Sequence, residues 1–177
     1  MSTPDLQPTL EGPRLTLRPI VEADWDSLFG AASNPLVWEQ HPVTDRYKEE
    51  NFRTFFNDAI ASGTALTFVD RESGALIGSS RYNDFDSEKS EIEIGWTFLG
   101  HDYWGGSYNR EAKKLMLEHA FTFVDTVLFW VGDTNYRSQK AVEKIGGVKR
   151  DGEFTRKHGD HEVPYVVFEL RKENFDL

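Results

Sequence analysis

Apolar residues recur along the chain with two periods, and the switches between them mark out the elements. RLTLRPI (Arg14–Ile20) alternates polar and apolar positions up to Pro19 and predicts a strand. EADWDSLFGAASN predicts a helix with Asp24 or a neighbour near its start and Asn34-Pro35 at its end. Phe52, Phe55, Phe56, Ala59 and Ile60 stand at helical spacing before Gly63, a stop signal. ALTFVDRESGALIGSSRY predicts two strands joined by a turn around Glu72–Gly74, and SEIEIGWTFL a further strand. A long helix follows in YWGGSYNREAKKLMLEHAF, then a buried strand in TVLFWVG and a short helix, NYRSQKAVEKIGG, closed by Gly146-Gly147. GVKRDGEF and VPYVVFEL predict two last strands, with FTRKHGDHEVPY as a loop between them. Residues 1–9, with two prolines and little apolar content, predict a flexible arm, and 10–177 a single domain. No repeat, low-complexity segment or linker interrupts it. The order of elements implies one α/β domain around a mixed sheet.

The long helix carries one apolar stripe: Ala112, Leu115, Met116, Ala120, Phe123 and Val124, widened by Leu117 and Phe121. Arg110, Glu111, Lys114 and Glu118 fall on the opposite face. Such a helix packs on a sheet with its N-terminus at the end of EIEIGWTFL, the corner where α/β sheets bind ligands. There Gly105, Gly106, Ser107, Tyr108 and Asn109 offer free amides and the positive end of the helix dipole, and a pyrophosphate is the natural guest. A plain turn is the other reading. No GxxxxGK(S/T) is present, so an NTPase loop is excluded, and no GxGxxG supports a dinucleotide fold. In the second helix Ser138, Ala141, Val142 and Ile145 share the inward stripe, which places a serine on the buried side just after Asn135. A first-turn serine satisfied by the backbone is the alternative.

Composition narrows the classes. The chain has 177 residues, 38% hydrophobic and 28% charged, as expected of one globular domain. No apolar run is long enough to span a membrane. With no cysteine, disulfides, thiolate metal sites and a cysteine nucleophile are excluded, and an intracellular, cytoplasmic location is expected. The net charge of −10 argues against nucleic acid as partner and is compatible with a cationic substrate or with simple solubility. The five histidines show no metal-binding spacing, so no metal is assigned, and His119 at the stripe's rim reads as structural.

EIEIGWTFL, WGGSYNREAKKLMLEHAF and NYRSQKAVEKIGG, in this order, resemble the GNAT N-acetyltransferases, specifically the RimJ/RimL-like branch. The resemblance runs from PRLTLRPI through YVVFEL. It implies a mixed, mostly antiparallel sheet with flanking helices and a splayed acetyl-CoA cleft. It implies transfer of the acetyl group of acetyl-CoA, as co-substrate, to a primary amine. The family's pyrophosphate loop, Gln/Arg-x-x-Gly-x-Gly/Ala, falls on Trp104 to Asn109, with Trp104 in first place and Ser107 and Asn109 replacing small residues. The next motif, Asn-x-x-Ser/Ala, matches Asn135 and Ser138. The tyrosine that many relatives use as acid would fall at Val142 and is missing, and Ser138 resembles the serine some RimL-like enzymes use instead.

Attack of an amine on a thioester requires a free base, a donor for the developing oxyanion, and alignment. Glu93 is the candidate base, directly or through water, since it alternates with Ile92, Ile94, Trp96 and Phe98. Pairing with a lysine or arginine is the alternative, and Glu91 is a second choice on the same face. Ser138 is the candidate acid or thiol partner. Asn135 would hold the pantetheine amides, and Trp96, Thr97, Phe98 and Leu99 would form the pantetheine edge and supply an oxyanion donor. Arg137, Lys140 and Lys144 could meet phosphates or form a solvated face. Trp38, His41, Tyr82 and Glu93 are expected to line the acceptor site, bordered by FTRKHGDHEVPY. The acceptor is a protein or peptide N-terminus or a small amine, and the protein a monomer or homodimer. A non-catalytic acyl-CoA-binding sensor is the rival reading.

Overall fold

The computed structural model describes residues 3–176. The alternation after Arg14 becomes β2 (Leu15–Pro19), whose Leu15 and Leu17 are fully buried, with the short β1 (Leu10–Glu11) on its outer edge. Strands β3 (Ala65–Asp70) and β4 (Leu76–Asp86) form a hairpin that turns at Gly74, where φ is +77°. β5 (Glu91–Leu99) runs antiparallel to β4. β6 (Thr126–Gly132) runs parallel to β5, so the chain must cross over between them, and α3 (Tyr108–Ala120) makes that crossover. Helix α1 (Trp25–Ala32), α2 (Glu49–Ser62) and α4 (Tyr136–Lys144) complete the helical set among the described residues, beside short 3₁₀ turns. α2 stops at Gly63, which takes a left-handed φ of +67°.

The last strands depart from the sequence expectation. FTRKHGDHEVPY is not a loop: it is a hairpin of β8 (Phe154–His158) and the long β9 (His161–Arg171), turning at Gly159. One face mixes Phe154, Val163 and Tyr165 with Arg156 and His158, and the other carries Thr155, Lys157 and Glu162, so charged residues interrupt the hydrophobic alternation that would announce it. The strand expected in GVKRDGEF shrinks to β7 (Val148–Lys149). The outer edge of β9 is shared: β7 pairs at Phe168–Glu169, β8 at His161–Tyr165, and the chain crosses between them through Gly152 at φ +125°.

Among the described residues the sheet order is β1-β2-β3-β4-β5-β6-β9-β7, with β8 on β9, and every pairing except β5–β6 is antiparallel. One core cluster, around Leu17, Phe68, Ile92, Ile94, Met116 and Phe168, lies under α3. A second, rich in aromatics, joins α1 and α2 through Trp38, Phe52, Phe56 and Phe98. Glu111, expected on the outward face of α3, ties the helix to β2: one carboxylate oxygen accepts from the amides of Arg14 (2.9 Å) and Leu15 (2.6 Å).

The N-terminal stretch is docked rather than free. The Gln7 side chain donates to the Ala65 carbonyl (3.0 Å), His119 Nε2 lies 2.6 Å from the Asp5 carbonyl, and Leu6 packs on the core. Residues 1 and 2 of the expected arm lie outside the described residues.

Candidate active site

The parallel pairing of β5 and β6 begins at Glu91↔Thr126 and ends at Glu93↔Leu128, although both strands continue. Beyond that point they diverge. A bulge deepens the divergence: Arg81 and Ser79 of β4 face Gly95 and Phe98 of β5, so β5 carries one extra residue, and Trp96 takes φ +51°. The bulge reverses the facing of the strand. Ile92 and Ile94 belong to the core under α3, whereas Trp96 and Phe98 pack with the α1–α2 cluster. The uniform alternation expected from Ile92 to Phe98 therefore breaks at Trp96.

Two cavities open at this splay. The larger, about 600 Å³, is lined by Thr97, Phe98 and Leu99 of β5, by Trp104, Gly105, Gly106 and Asn109 of the glycine turn, and by Lys113, Arg137 and Ser138. The smaller, about 100 Å³, is lined by Trp38, Arg46, Glu93, Trp96, Trp130, Asn135, Arg156 and Tyr165, among others. His41, Thr97, Lys113 and Ser138 line both, so they mark the junction.

The glycine turn is shaped for an anion. Gly105 takes φ +75°, and a Cβ added to it would meet nothing within 4 Å. Among the described residues no protein oxygen accepts from the amides of Gly105 through Asn109. Five unpartnered donors at a helix start, three of them from residues that line the cavity, fit a pyrophosphate. Trp104, in the loop's first place, anchors the turn: its indole donates to the Leu99 carbonyl (2.8 Å), and the Arg137 guanidinium stacks on its ring at 3.9 Å. Ser107 and Tyr108 depart from the expected lining. The Ser107 hydroxyl accepts from Arg14 (2.6 Å), and the Tyr108 hydroxyl donates to Asp70 (3.3 Å) beneath the same arginine, so both side chains turn away from the cavity.

Asn135, just after β6, caps α4: its side-chain oxygen accepts from the Ser138 amide (3.4 Å). Ser138 thereby sits in the first turn at the junction, and among the described residues its hydroxyl has no hydrogen-bond partner. Val142, at the position of the relatives' tyrosine, is buried in the core.

Glu93 lies in the wall of the smaller cavity and is only 2% exposed. Arg156 of β8 grips it with two hydrogen bonds, 2.9 Å to Oε2 and 2.5 Å to Oε1, and Asn83 donates to Oε1 at 3.0 Å. Its partner is thus an arginine, in a buried setting. Glu91 binds Arg150 (3.2 Å) and lines neither cavity. Trp38 lines the cavity while its indole donates to the Ala32 carbonyl (2.8 Å). Burial, with Arg46 and Arg137 nearby, pushes the His41 imidazole down to about 3, so it is neutral. Tyr82 is a correction: it is fully buried in the core and lines neither cavity, its hydroxyl donating to the Met116 carbonyl (2.6 Å). β4 points it under α3.

Among the cavity residues that the sequence reading did not name singly are the cations Lys113, Arg46 and Arg156, the last within the segment expected to border the acceptor site. Lys113 had a signal. It stands three, four and seven residues before Met116, Leu117 and Ala120, inside the apolar stripe. Its ammonium lies 5.5 Å from the Phe129 ring centre, has no carboxylate in ion-pair distance among the described residues, and is pushed by burial down to about 8. Arg46 lies in a segment without periodicity, and for both arginines only tertiary contact shows which groups they meet.

Among the described residues no helix is long and apolar enough to cross a membrane, and no cluster of three or more histidine, aspartate or glutamate side chains could hold a metal. The chain resembles an uncharacterized N-acetyltransferase, p20, of Bacillus licheniformis, at 32% identity over 119 residues. That match spans 64% of this chain and 66% of the relative. Its fold matches a GCN5-related N-acetyltransferase from Brucella melitensis with a TM-score of 0.82 at 20% identity, over 95% of this chain and 80% of that one. It also matches an acetyltransferase structure from T. thermophilus with a TM-score of 0.77 at 26% identity, over 98% and 93%. Residues 14–148 fit the family model of the acetyltransferase (GNAT) domain, and the chain belongs to the GNAT acetyltransferase superfamily.

Proposed function

We propose that this protein transfers the acetyl group of acetyl-CoA to a primary amine by direct attack in a ternary complex, as a RimJ/RimL-like enzyme of the cytoplasm. The observation that carries the reading is the meeting of two cavities at His41, Thr97, Lys113 and Ser138. A long groove ending on free amides suits CoA, and a small pocket beyond it suits an amine.

In this reading the amides of Gly105 to Asn109 hold the pyrophosphate, Thr97 to Leu99 line the pantetheine, and the acceptor enters past Trp38, His41 and Trp96. The amine nitrogen attacks the thioester carbonyl carbon, and a backbone amide of the bulged segment steadies the oxyanion. The nitrogen's proton passes through water toward Glu93. Collapse breaks the carbon–sulfur bond, and the thiolate accepts a hydrogen bond or proton from Ser138, beside the Lys113 ammonium. A thiol pKa of ~8.5 makes this departure easy, so donors there contribute modestly.

Thiol release from acetyl-CoA with an amine panel, joined to mass spectrometry of the products, tests the reading. The expected result is amine-dependent release with acetylated product. CoA binding without turnover toward any amine would leave a sensor on the same fold.

A further inference from the structure

The smaller cavity is lined by side chains whose charges do not balance. Arg156 spends its charge on Glu93. Arg46 has no such partner: among the described residues no carboxylate lies within 4.0 Å of it and no oxygen accepts from its guanidinium. Instead it lies over aromatic rings, 4.9 Å from the centre of Phe55 and 5.7 Å from that of Trp38. No buried polar side-chain atom among the described residues lacks a partner, so its free N–H groups open to the cavity rather than into the core. Arg81, stacked on Trp96 at 3.8 Å and with no carboxylate within 4.0 Å among the described residues, adds a second guanidinium behind the wall. A chain of net charge −10 has thus concentrated cations at one small pocket, where Glu93 is the one lining carboxylate among the described residues.

The geometry points to an anion-binding subsite centred on Arg46: the acceptor is a small primary amine that carries its own carboxylate or phosphate, and Arg46 is that anion's counter-ion. This rests on the acetyl-transfer reading above. A guanidinium presents five donors in a planar fork that matches either anion, and the ring faces around it exclude water. The size of the cavity, about 100 Å³, suits a compact molecule rather than a length of peptide. The same field acts on the amine. Nearby cations disfavour the ammonium form, so the pocket that holds the anion also favours the free base that must attack. The two histidines of the pocket follow this trend: the imidazoles of His41 and His158 are both pushed below their ordinary value, by burial first and by Arg46 next.

The test compares acceptors with and without the anionic group: α-amino acids against their carboxamides, and 2-aminoethyl phosphate against ethanolamine, in the thiol-release assay. The anionic member of one pair should be preferred by at least about tenfold in kcat/KM, and the pair that responds identifies the anion. Arg46→Gln should raise the KM for that acceptor roughly 30-fold or more, leave the KM for acetyl-CoA unchanged, and remove the preference, while Arg46→Lys restores part of it. Equal or better use of the neutral members overturns the inference. So does preference for a peptide with an acidic N-terminal residue over the free amino acid. A binding arm separates this inference from the transfer reading. N-acetyl-amino acids, N-acetyl-2-aminoethyl phosphate and the neutral counterparts are added to the CoA-saturated protein and Tm is recorded. An Arg46-dependent shift by the anions alone, with no turnover of any amine, upholds the subsite and rejects the transferase. No shift by any anion, with or without turnover, rejects the subsite.

Discussion

Arg156 and Glu93, 63 residues apart in sequence, meet through two hydrogen bonds in the wall of the small cavity. The contact clamps the β8–β9 hairpin onto β5 just where β5 parts from β6. The carboxylate is buried, while Arg156 retains 24% side-chain exposure and lies over Trp130 at 4.1 Å. The pair therefore shapes the wall of the small cavity whatever proton Glu93 handles.

Glu93→Gln leaves Arg156 with a neutral partner and is expected to destabilise the fold by up to ~3 kcal/mol, the low end for a broken buried pair because Arg156 stays partly hydrated. Arg156→Gln should have a similar effect, and the double variant should cost less than the sum. Urea titrations of the four proteins give the coupling; strict additivity would show that the pair does not stabilise the fold. In kinetics, Glu93→Gln should lose most activity at low pH, where the amine needs a base.

The glycine turn predicts a graded series. Gly106 has only the edge of Tyr108, at 4.0 Å, near its missing Cβ, so Gly106→Ala should bind CoA nearly as wild type. Gly106→Asp adds a carboxylate beside the phosphates and should weaken binding at least about tenfold. Millimolar CoA should raise the Tm of wild type, since a ligand at 100 times its Kd adds ~2.7 kcal/mol, and should raise that of Gly106→Asp far less. Equal shifts would place the phosphates elsewhere.

Ser138→Ala should lower kcat while leaving the Kd of acetyl-CoA unchanged, by up to ~10²-fold, the low end for acid–base assistance because a thiolate leaves readily. Single-turnover assays at saturating substrates measure this. A loss in Tm with no loss of kcat per folded molecule would make Ser138 a structural residue.

Lys113 predicts a pH-dependent stability. Its folded pKa is lowered from 10.5 to about 8, so between these values the unfolded chain binds more protons than the folded one. Stability contributed by this group then rises with pH from 8 to 10.5, and at neutral pH the charged amine is a burden on the fold. Lys113→Met should raise Tm at pH 7, with a gain that shrinks as pH climbs through this window. A gain independent of pH would mean that packing, not charge, is responsible. In the proposed mechanism the same change lowers kcat through the lost ammonium at the thiol.

The local code was legible wherever one face of an element is buried and the other wet. The alternation of Leu15 and Leu17, the stripe of α3, the stop at Gly63 and the turn at Gly105-Gly106 each carry their reason within a few residues, because strand and helix periods decide which side chains can be hidden. The motif order, from the glycine turn to Asn135 and Ser138, likewise pointed to the corner where the two cavities meet. Other features needed the tertiary structure. The bulge at Trp96 reverses the strand's facing through a single extra residue opposite β4, and no local pattern records a register between two strands. In the β8–β9 hairpin Arg156 and His158 share a face with Phe154, Val163 and Tyr165, so the apolar period is broken. Tyr82 looks the same as a pocket tyrosine in sequence, and only the packing of α3 over β4 sends it into the core. The cations of the small cavity come from positions 46, 113 and 156, with Arg81 behind its wall, and the chain cannot announce them as neighbours. Burial and Coulomb energy depend on distance in space, and that distance exists only once the sheet has closed around them.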